Sequence, residues 1–270
     1  MPKNARTAND VQQTSNCYLA VSAVHRAQPE EPVSRALEPL DVYHQCSLMS
    51  GLRTDEYVDA RAREMQIASV AKRVLFIGNS LTFWNQGVDV MVKKLVPGIE
   101  TSRVAVGGAT LETLWNNDEA KLAVADKDLV VLQEDLPETT RASFRRHAKL
   151  WCDHVRYYGA EPVFYAAWAY DRLPAFDDDA ICAEHARAAE ENNARIANVG
   201  AAHTAGPEGL DLFDDDREHP SLAGTYLAAC VIATTIYGPE ALQAPKVYRP
   251  KNLSAGAASI LRDVALSTCE

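Results

Sequence analysis

Short, uninterrupted apolar runs that alternate with longer helix-like segments are the feature that most constrains the fold of this chain. The alternation begins at Lys72 and continues almost to the end of the 270-residue sequence. Strands that are apolar at every position, and not only at every second one, are buried on both faces, which is typical of a parallel sheet. The predicted strands lie at residues 73–77, 102–106, 128–132 and 161–166, with a weaker fifth near 196–200, and the predicted helices lie at 86–96, 139–157, 178–195, 221–236 and 254–266. The pattern therefore predicts a parallel sheet with helices on both faces.

The N-terminal quarter of the chain lacks this alternation. Residues 1–53 carry Pro29, Pro32 and Pro39 and have mixed polarity without a sustained period, which predicts a loosely structured extension. Residues 54–70 favour a helix, because Thr54 can cap its first turn and two acidic residues follow. We therefore expect an N-terminal extension over 1–70 and the main domain over 71–270.

Composition narrows the class of partner. The chain carries 27 basic and 37 acidic residues, a net charge of −10, without a cluster of lysine and arginine. Nucleic acids and anionic membrane surfaces are therefore poor partners, and a small molecule is the expected ligand. No apolar run approaches the roughly 20 residues that span a bilayer, and no secretory leader is visible. The six cysteines are scattered without Cys-x-x-Cys spacing, so we expect free thiols and a cytoplasmic location.

Ser80 follows the first predicted strand directly. The apolar run at residues 74–77 stops at Gly78 and Asn79, so a buried strand delivers this serine into a tight turn. Ligands of open parallel sheets bind beyond the carboxyl ends of the strands, which is where the turn lies. A serine after Gly-Asn is most often a turn or capping residue, so its local context leaves both roles open.

Asp216 and His219 form the second candidate group, just ahead of the last long predicted helix of the sheet. Their spacing of three residues allows the carboxylate to fold back onto the imidazole. A nucleophilic serine needs a base, and that base needs a partner that holds its tautomer. We therefore predict Ser80 as nucleophile, His219 as general base and Asp216 as the orienting carboxylate. Asp214 and Asp215 are competing carboxylates, and a cation site at this aspartate run is disfavoured because the ligand spacing of such loops is missing.

Four short blocks in order carry a family resemblance. They are Gly-Asn-Ser-Leu at 78–81, Val-Ala-Val-Gly-Gly-Ala-Thr at 104–110, Asp-Leu-Val-Val-Leu-Gln-Glu at 128–134 and Asp-Arg-Glu-His-Pro-Ser at 216–221. This series resembles the SGNH (GDSL-type) hydrolases, in a bacterial branch with a D-x-x-H-P-S last block. Asparagine stands for the name-giving aspartate of the first block, and the third lacks its Gly-x-Asn-Asp. The resemblance covers about residues 72–238 and implies a three-layer α/β/α fold with a five-stranded, flavodoxin-like parallel sheet.

The same resemblance implies an oxyanion hole. The backbone N–H groups of Ser80 and Gly108 are the expected donors, and matching Gly-Ala-Thr to the family's Gly-x-Thr favours Gly108 over Gly107. The family's third donor is an asparagine side chain, which is missing here. Gln133 carries the same amide on a longer stem and is the candidate replacement, although a strand-end glutamine also commonly bonds to a neighbouring loop. Neither a metal nor an organic cofactor is expected.

The hypothesis from the sequence is a serine esterase that removes a small, acetyl-like acyl group. The connections at 82–86, 108–118 and 167–178 contain Trp84, Trp115, Trp168 and Tyr170 among amides and carboxylates. Such surroundings favour a carbohydrate or similar polar alcohol over a lipid, although packing is the commoner role of aromatic side chains. Two alternatives stay open: an acyltransferase that uses the same triad, and a non-catalytic binding protein on a retained hydrolase fold. The oligomeric state is not predicted.

Overall fold

The computed structural model describes residues 71–244 and 246–269. The predicted helix at 54–70 and the rest of the N-terminal extension lie outside the described residues.

A five-stranded parallel sheet forms the centre of the described structure. Its strands are β1 (Arg73–Gly78), β2 (Glu100–Ala105), β3 (Leu129–Gln133), β4 (Glu161–Ala166) and β5 (Arg195–Asn198), in the order β2-β1-β3-β4-β5. All neighbouring pairs are parallel, and Val74 of β1 lies opposite Thr101 of β2 and Leu129 of β3. This confirms the parallel sheet that the sequence pattern predicted and the five-stranded, flavodoxin-like order that the family resemblance implied.

Five long helices and five short ones accompany the strands in the described part of the chain. The long ones are α2 (Val88–Leu95), α5 (Arg141–Tyr157), α6 (Asp178–Glu191), α8 (Leu222–Tyr237) and α10 (Ala255–Thr268). The short ones are α1 (Ser80–Phe83), α3 (Leu111–Trp115), α4 (Asp118–Leu122), α7 (Val199–Thr204) and α9 (Glu240–Gln243). The five long helices agree with the predicted ones. The short ones were not predicted, because four to six residues are too few to show a 3.6-residue period.

Alternate residues of β1 face two separate cores. Val74 and Phe76 are buried against α2, α8 and α10, whereas Leu75 and Ile77 are buried against α3, α5 and α6. Because both faces of the strand are covered, each position from 74 to 77 is apolar, which explains the uninterrupted run in the sequence. Twelve of the 16 residues of α8 are buried, so this helix is the central element of its layer.

The order of the strands determines where a site can form. From β1 the chain leads to β2 on one side of the sheet and later to β3 on the other, so the carboxyl ends of these strands meet at a switch point. Ser80 follows β1, Gly108 follows β2 and Gln133 ends β3. The loop that precedes α8 carries Asp216 and His219 to the same edge.

Two further observations concern the described residues. None of the described helices has both the length and the apolar composition to cross a bilayer. The cysteines in this part of the chain, Cys152, Cys182, Cys230 and Cys269, are all free thiols.

Candidate active site

The turn after β1 presents Ser80 as the first residue of a short helix. Asn79 is the N-cap of α1, and its Oδ1 accepts a hydrogen bond from the Leu81 N–H at 3.0 Å. The sequence left a capping role for Ser80 open, but the cap is the preceding residue, which frees the serine hydroxyl. The Ser80 N–H lies in the first turn, where a helix provides no acceptor.

The Gln133 side chain holds this turn in place through two hydrogen bonds. Its Oε1 accepts hydrogen bonds from the Asn79 N–H at 2.8 Å and the Thr82 hydroxyl at 3.1 Å. Gly78 permits the approach, because a Cβ at that position would lie 2.3 Å from Thr82 Oγ1 and 2.5 Å from Gln133 Oε1. These contacts connect the end of β3 to the end of β1 next to Ser80.

The Ser80 hydroxyl, the His219 ring and the Asp216 carboxylate form one chain of contacts. His219 Nε2 lies 2.8 Å from Ser80 Oγ, and His219 Nδ1 lies 2.6 Å from Asp216 Oδ2. Asp216 Oδ1 also accepts the backbone N–H groups of Glu218 at 3.0 Å and His219 at 2.9 Å. The predicted fold-back of the carboxylate onto the imidazole is therefore present in the structure.

The charge of Asp216 determines which nitrogen of His219 carries the proton. Partial desolvation opposes ionisation of Asp216, but hydrogen bonds from the His219 ring and from two backbone N–H groups outweigh it and lower the pKa to about 2. An ionised carboxylate accepts the Nδ1–H, which leaves the lone pair of Nε2 directed at the Ser80 hydroxyl. In this arrangement the imidazole can remove the serine proton, and the carboxylate stabilises the imidazolium that results.

The loop that carries the histidine is closed by backbone contacts. Phe213 and Pro220 form an isolated antiparallel bridge, and the Asp214 N–H donates to the His219 carbonyl at 2.7 Å. The Asp214 carboxylate accepts the indole N–H of Trp84 at 3.2 Å, so this competing carboxylate faces a different partner. No cluster of three metal-ligating side chains occurs within 71–244 and 246–269.

Trp84 is a site residue whose role the sequence did not reveal. Its ring stacks on His219 with centroids 3.9 Å apart and planes inclined by 20°. The indole N–H bond to Asp214 fixes the orientation of the ring. The sequence placed Trp84 after the nucleophile, but only the fold brings residue 84 against residue 219.

The next residue, Asn85, ties the same turn to the histidine loop. It has a left-handed backbone (φ 51°), and its amide donates to the Pro220 carbonyl and the Thr225 hydroxyl, both at 2.9 Å. Gln86 is also left-handed (φ 77°), and its carbonyl accepts a hydrogen bond from Arg103 at 2.9 Å. Backbone strain of this kind is held only where several contacts fix it, which marks the turn as a rigid part of the site.

The backbone donors expected for an oxyanion hole are open. Among the described residues, neither the Ser80 N–H nor the Gly108 N–H has a protein acceptor. Gly108 is exposed and has a left-handed φ of +67°, and a Cβ there would meet nothing within 4 Å. Both N–H groups are thus available to a ligand.

Gln133 is not a third open donor beside these two N–H groups, so the structure corrects the expectation from the sequence. Its side chain is fully buried, its Oε1 is bonded to the Ser80 turn, and its Nε2 donates to the Glu134 carbonyl at 2.8 Å. The extra methylene relative to asparagine lets the amide fold back under the turn. Gln133 therefore positions the Ser80 turn and is not the third donor of the oxyanion hole.

The aromatic residues near the strand ends have mostly structural roles. Trp168 and Tyr170 are 1% and 3% exposed, and Trp115 packs edge-on against Trp151. Of the four aromatic residues noted in the sequence, Trp84 alone stacks on His219. The packing role is correct for the other three.

Two buried carboxyl groups follow β3 close to the site. Burial raises the pKa of Glu134 to about 8, although its Oε1 accepts backbone N–H groups from Leu111 at 3.0 Å and Asp135 at 2.8 Å. Burial likewise raises the pKa of Asp135 to about 6, although the Tyr170 hydroxyl donates to it at 2.8 Å. Strand-end carboxylates usually face solvent, so the sequence gave no signal of this acidic, water-excluded layer.

Comparison with known proteins relates this architecture to solved structures. No protein-family model matches the sequence, and no curated protein matches it. An SGNH hydrolase from Slackia heliotrinireducens is 33% identical, with a TM-score of 0.56, and the match covers 61% of this chain and 98% of that one. A DUF4886 family protein from Bacteroides uniformis is 18% identical, with a TM-score of 0.59 and coverage of 73% and 93%. The lipase/acylhydrolase from Enterococcus faecalis is 18% identical, with a TM-score of 0.51 and coverage of 62% and 96%.

These matches carry different weight. The two structures at 18% identity show a shared fold. The Slackia protein is matched over nearly its whole length at 33% identity, and the four sequence blocks fall at the ends of the strands where the site lies. The chain therefore belongs to the SGNH family of serine ester hydrolases.

Proposed function

We propose that this protein hydrolyses small, acetyl-like esters of polar alcohols through Ser80, His219 and Asp216. The observation that carries the proposal is the continuous relay from Ser80 Oγ through His219 to Asp216, with contacts of 2.8 and 2.6 Å. Contacts of this length are within the range in which a base removes a proton from a nucleophile.

In the first half of the reaction, Ser80 Oγ attacks the ester carbonyl carbon and its proton passes to His219 Nε2. The carbonyl π electrons move to oxygen, and the Ser80 and Gly108 N–H groups donate to the resulting oxyanion. When the tetrahedral intermediate collapses, the ester C–O bond breaks and the alcohol oxygen takes the proton from His219. The acyl group is then bonded to Ser80.

The second half repeats these steps with water. His219 Nε2 takes a proton from water, the hydroxide oxygen attacks the acyl carbon, and the same two N–H groups hold the oxyanion. Collapse breaks the bond to Ser80 Oγ, which recovers its proton from the imidazolium. Asp216 stays ionised throughout and stabilises the charged ring.

The preference for a short acyl group and a polar alcohol rests on the surroundings of the relay. Trp84 provides one flat aromatic face next to the histidine, and polar side chains such as Asn85 and Asp214 adjoin it. An aromatic face among polar groups suits a carbohydrate or comparable alcohol. A series of p-nitrophenyl esters from C2 to C10 tests the acyl part, and higher kcat/KM at C10 than at C2 would contradict it.

The triad itself is tested with Ser80→Ala and with a fluorophosphonate probe of reactive serines. We expect the variant to lose at least about 10³-fold in turnover of p-nitrophenyl acetate and to lose labelling. Retained labelling and turnover in Ser80→Ala would contradict the assignment. An unlabelled wild type without turnover would favour the binding protein, and acyl transfer to an added polyol would favour the acyltransferase.

Ser143→Ala is a matched control, because Ser143 also contacts a histidine and a carboxylate. Its Oγ donates to Glu112 Oε2 at 2.5 Å and lies 3.2 Å from His147 Nδ1. That carboxylate contacts the serine and not the imidazole, and His147 Nδ1 also lies 2.9 Å from the Ser143 carbonyl. Without a carboxylate to orient the base, Ser143 is not activated, so its removal is expected to leave turnover unchanged.

A further inference from the structure

A concave region lies beside the histidine loop, and its lining includes none of the three relay residues. It is a cavity of about 460 Å³ between the turn after α1, helix α2 and the segment before α10. Its wall includes Asn85 from the turn and Leu222, three residues after His219. The volume is within the range of small-molecule sites.

The charged side chains that line this cavity within the described part of the chain are all of one sign. Lys94, Arg249 and Lys251 line it together with uncharged residues, and none of the lining residues that the structure describes is acidic. This is unexpected in a chain with ten more acidic than basic residues. The ion pairs within the described residues use arginines and lysines elsewhere, and none of the three cavity cations takes part in them.

Two of these cations make contacts that do not neutralise their charge, and neither has an acidic partner among the described residues. The Lys94 ammonium lies 5.0 Å from the centroid of the Tyr248 ring, and Arg249 Nη1 donates to the Leu253 carbonyl. A side chain that is already ordered loses less entropy when it binds a ligand. The cavity is thus prepared for a negatively charged group.

The position of the cavity relates it to the leaving group of an ester. In the proposed mechanism His219 protonates the alcohol oxygen, so the alcohol lies on the histidine side of Ser80 and the oxyanion lies on the Gly108 side. The cavity adjoins the loop that carries His219, because Asn85 of its wall is bonded to the carbonyl of Pro220, the residue after His219.

We propose that this cavity binds an anionic group, a carboxylate, sulfate or phosphate, carried by the alcohol part of the ester substrate. The proposal rests on the proposed esterase function and narrows its substrate to acidic esters. Electrostatic attraction of the anion to Lys94, Arg249 and Lys251 holds the alcohol part beside His219, and it weakens as salt concentration rises.

The test compares acetate esters of ω-hydroxycarboxylic acids of increasing length with the corresponding primary amides, which have nearly the same shape without the charge. We expect the full-length protein to have a kcat/KM about 10-fold higher for the carboxylate at the best chain length. The combined variant Lys94→Gln, Arg249→Gln, Lys251→Gln is expected to lose this preference and to keep its turnover of p-nitrophenyl acetate. Equal rates for carboxylate and amide at every length would overturn the proposal, as would a preference that survives in the combined variant.

Lys93→Gln is the matched control, because Lys93 is an exposed neighbour on α2 that does not line the cavity. It is expected to keep the preference for the carboxylate. Addition of inorganic phosphate distinguishes a subsite for the substrate from a site for a free anionic effector. Competition with the carboxylate esters alone supports a substrate subsite, whereas an effect on p-nitrophenyl acetate without any charge preference in the ester series would overturn it in favour of a free effector.

Failure of the esterase function is recognised separately. It appears as absence of fluorophosphonate labelling and of p-nitrophenyl acetate turnover. Calorimetric titration with phosphate does not need catalysis, so it reports on the cavity alone. Binding that is abolished in the combined variant supports an anion site in the cavity, and equal binding by both proteins overturns it.

Discussion

Trp84 covers one face of the His219 ring, so in the proposed mechanism it contacts the imidazole while that ring gains and loses a proton. An aromatic face stabilises a cation by about 1 kcal/mol at a partly exposed site. We therefore expect Trp84→Leu to lower kcat/KM for p-nitrophenyl acetate about 5-fold and Trp84→Phe, which keeps a ring, to recover most of the loss. Unchanged kcat/KM in the leucine variant would show that the stack does not assist proton transfer.

Asp216 determines the tautomer of the same histidine. Asp216→Asn can donate its own N–H to Nδ1 and so place the imidazole proton on Nε2, where it prevents removal of the serine proton. A loss of about 10³- to 10⁴-fold in kcat is expected, as for other triads of this type. Asp215→Asn, at an exposed neighbour without a contact to the imidazole, is the control and is expected to keep full activity.

The Asp216 carboxylate also makes the stability of the folded protein depend on pH. Its pKa in the folded protein is lowered to about 2, from an ordinary value of 3.8. The stabilisation that it gives is therefore present above about pH 4 and is lost as the pH falls through 2. We expect the difference in melting temperature between wild type and Asp216→Asn to shrink over that window, and a constant difference would contradict the low pKa.

At the scale of elements, the turn between β1 and α1 depends on the absence of a side chain at residue 78. A Cβ there would lie 2.3 and 2.5 Å from oxygen atoms of Thr82 and Gln133. Gly78→Ala is expected to displace Gln133, to lower the melting temperature and to reduce turnover at least 10-fold through misplacement of Ser80. Wild-type activity in this variant would show that the support beneath the serine is dispensable.

Gly256→Ala provides the matched comparison for that substitution. Gly256 lies in α10, where a Cβ would meet nothing within 4 Å. Alanine is favoured over glycine in a helix by about 0.5–1 kcal/mol, so this variant is expected to be slightly more stable and equally active. The pair separates the effect of a methyl group from the effect of its position.

The elements of the described fold were predictable to the extent that each one repeats a pattern. The apolar run over β1 is typical of a strand that is buried on both faces. The long amphipathic segment over α5 is typical of a helix that is buried on one face. Helices such as α3 and α7 are too short for a period. The start signal of α3 was present, since Thr110 caps it through a bond from the Thr113 N–H, but one cap alone does not identify a helix.

The candidate site was predictable where the chemistry is local and was not where it depends on the fold. Asp216 and His219 are three residues apart, so their contact follows from a single loop. The stack of Trp84 on His219 and the burial of Gln133 result from how β1, β3 and α8 pack together. A sequence pattern indicates which strand end a residue follows, but not the direction in which its side chain folds.

At the scale of the whole molecule, the buried carboxyl group of Glu134 connects stability to pH. Its pKa is about 8 in the folded protein, against 4.5 as the ordinary value. The stability associated with it is therefore fully present below pH 4.5 and is lost as the pH rises to 8, by up to about 1.4 kcal/mol per pH unit. Asp135, with a pKa of about 6, adds a similar effect at lower pH, so the interval from pH 6 to 8 reports mainly on Glu134.

Glu134→Gln keeps the Oε1 acceptor for the Leu111 and Asp135 N–H groups and removes the titration. We expect the free energy of unfolding of this variant to vary less between pH 6 and 8 than that of the wild type, as measured by denaturant titration. Glu208→Gln, at an exposed position, is expected to follow the wild-type curve. Parallel curves for Glu134→Gln and the wild type would mean that Glu134 is ionised in the fold.

The two reacting groups of the relay, Ser80 and His219, are separated by 139 positions in the sequence. Contacts between residues so distant along a chain form only after long loops have closed, and chains emerge from the ribosome in sequence order. While the first strand and its serine are already outside the ribosome, His219, the proposed base, has not yet been synthesised. Under the proposed mechanism, nascent chains are therefore expected to carry an unreactive serine. Appearance of fluorophosphonate reactivity during translation would then report the docking of the histidine loop onto the completed sheet.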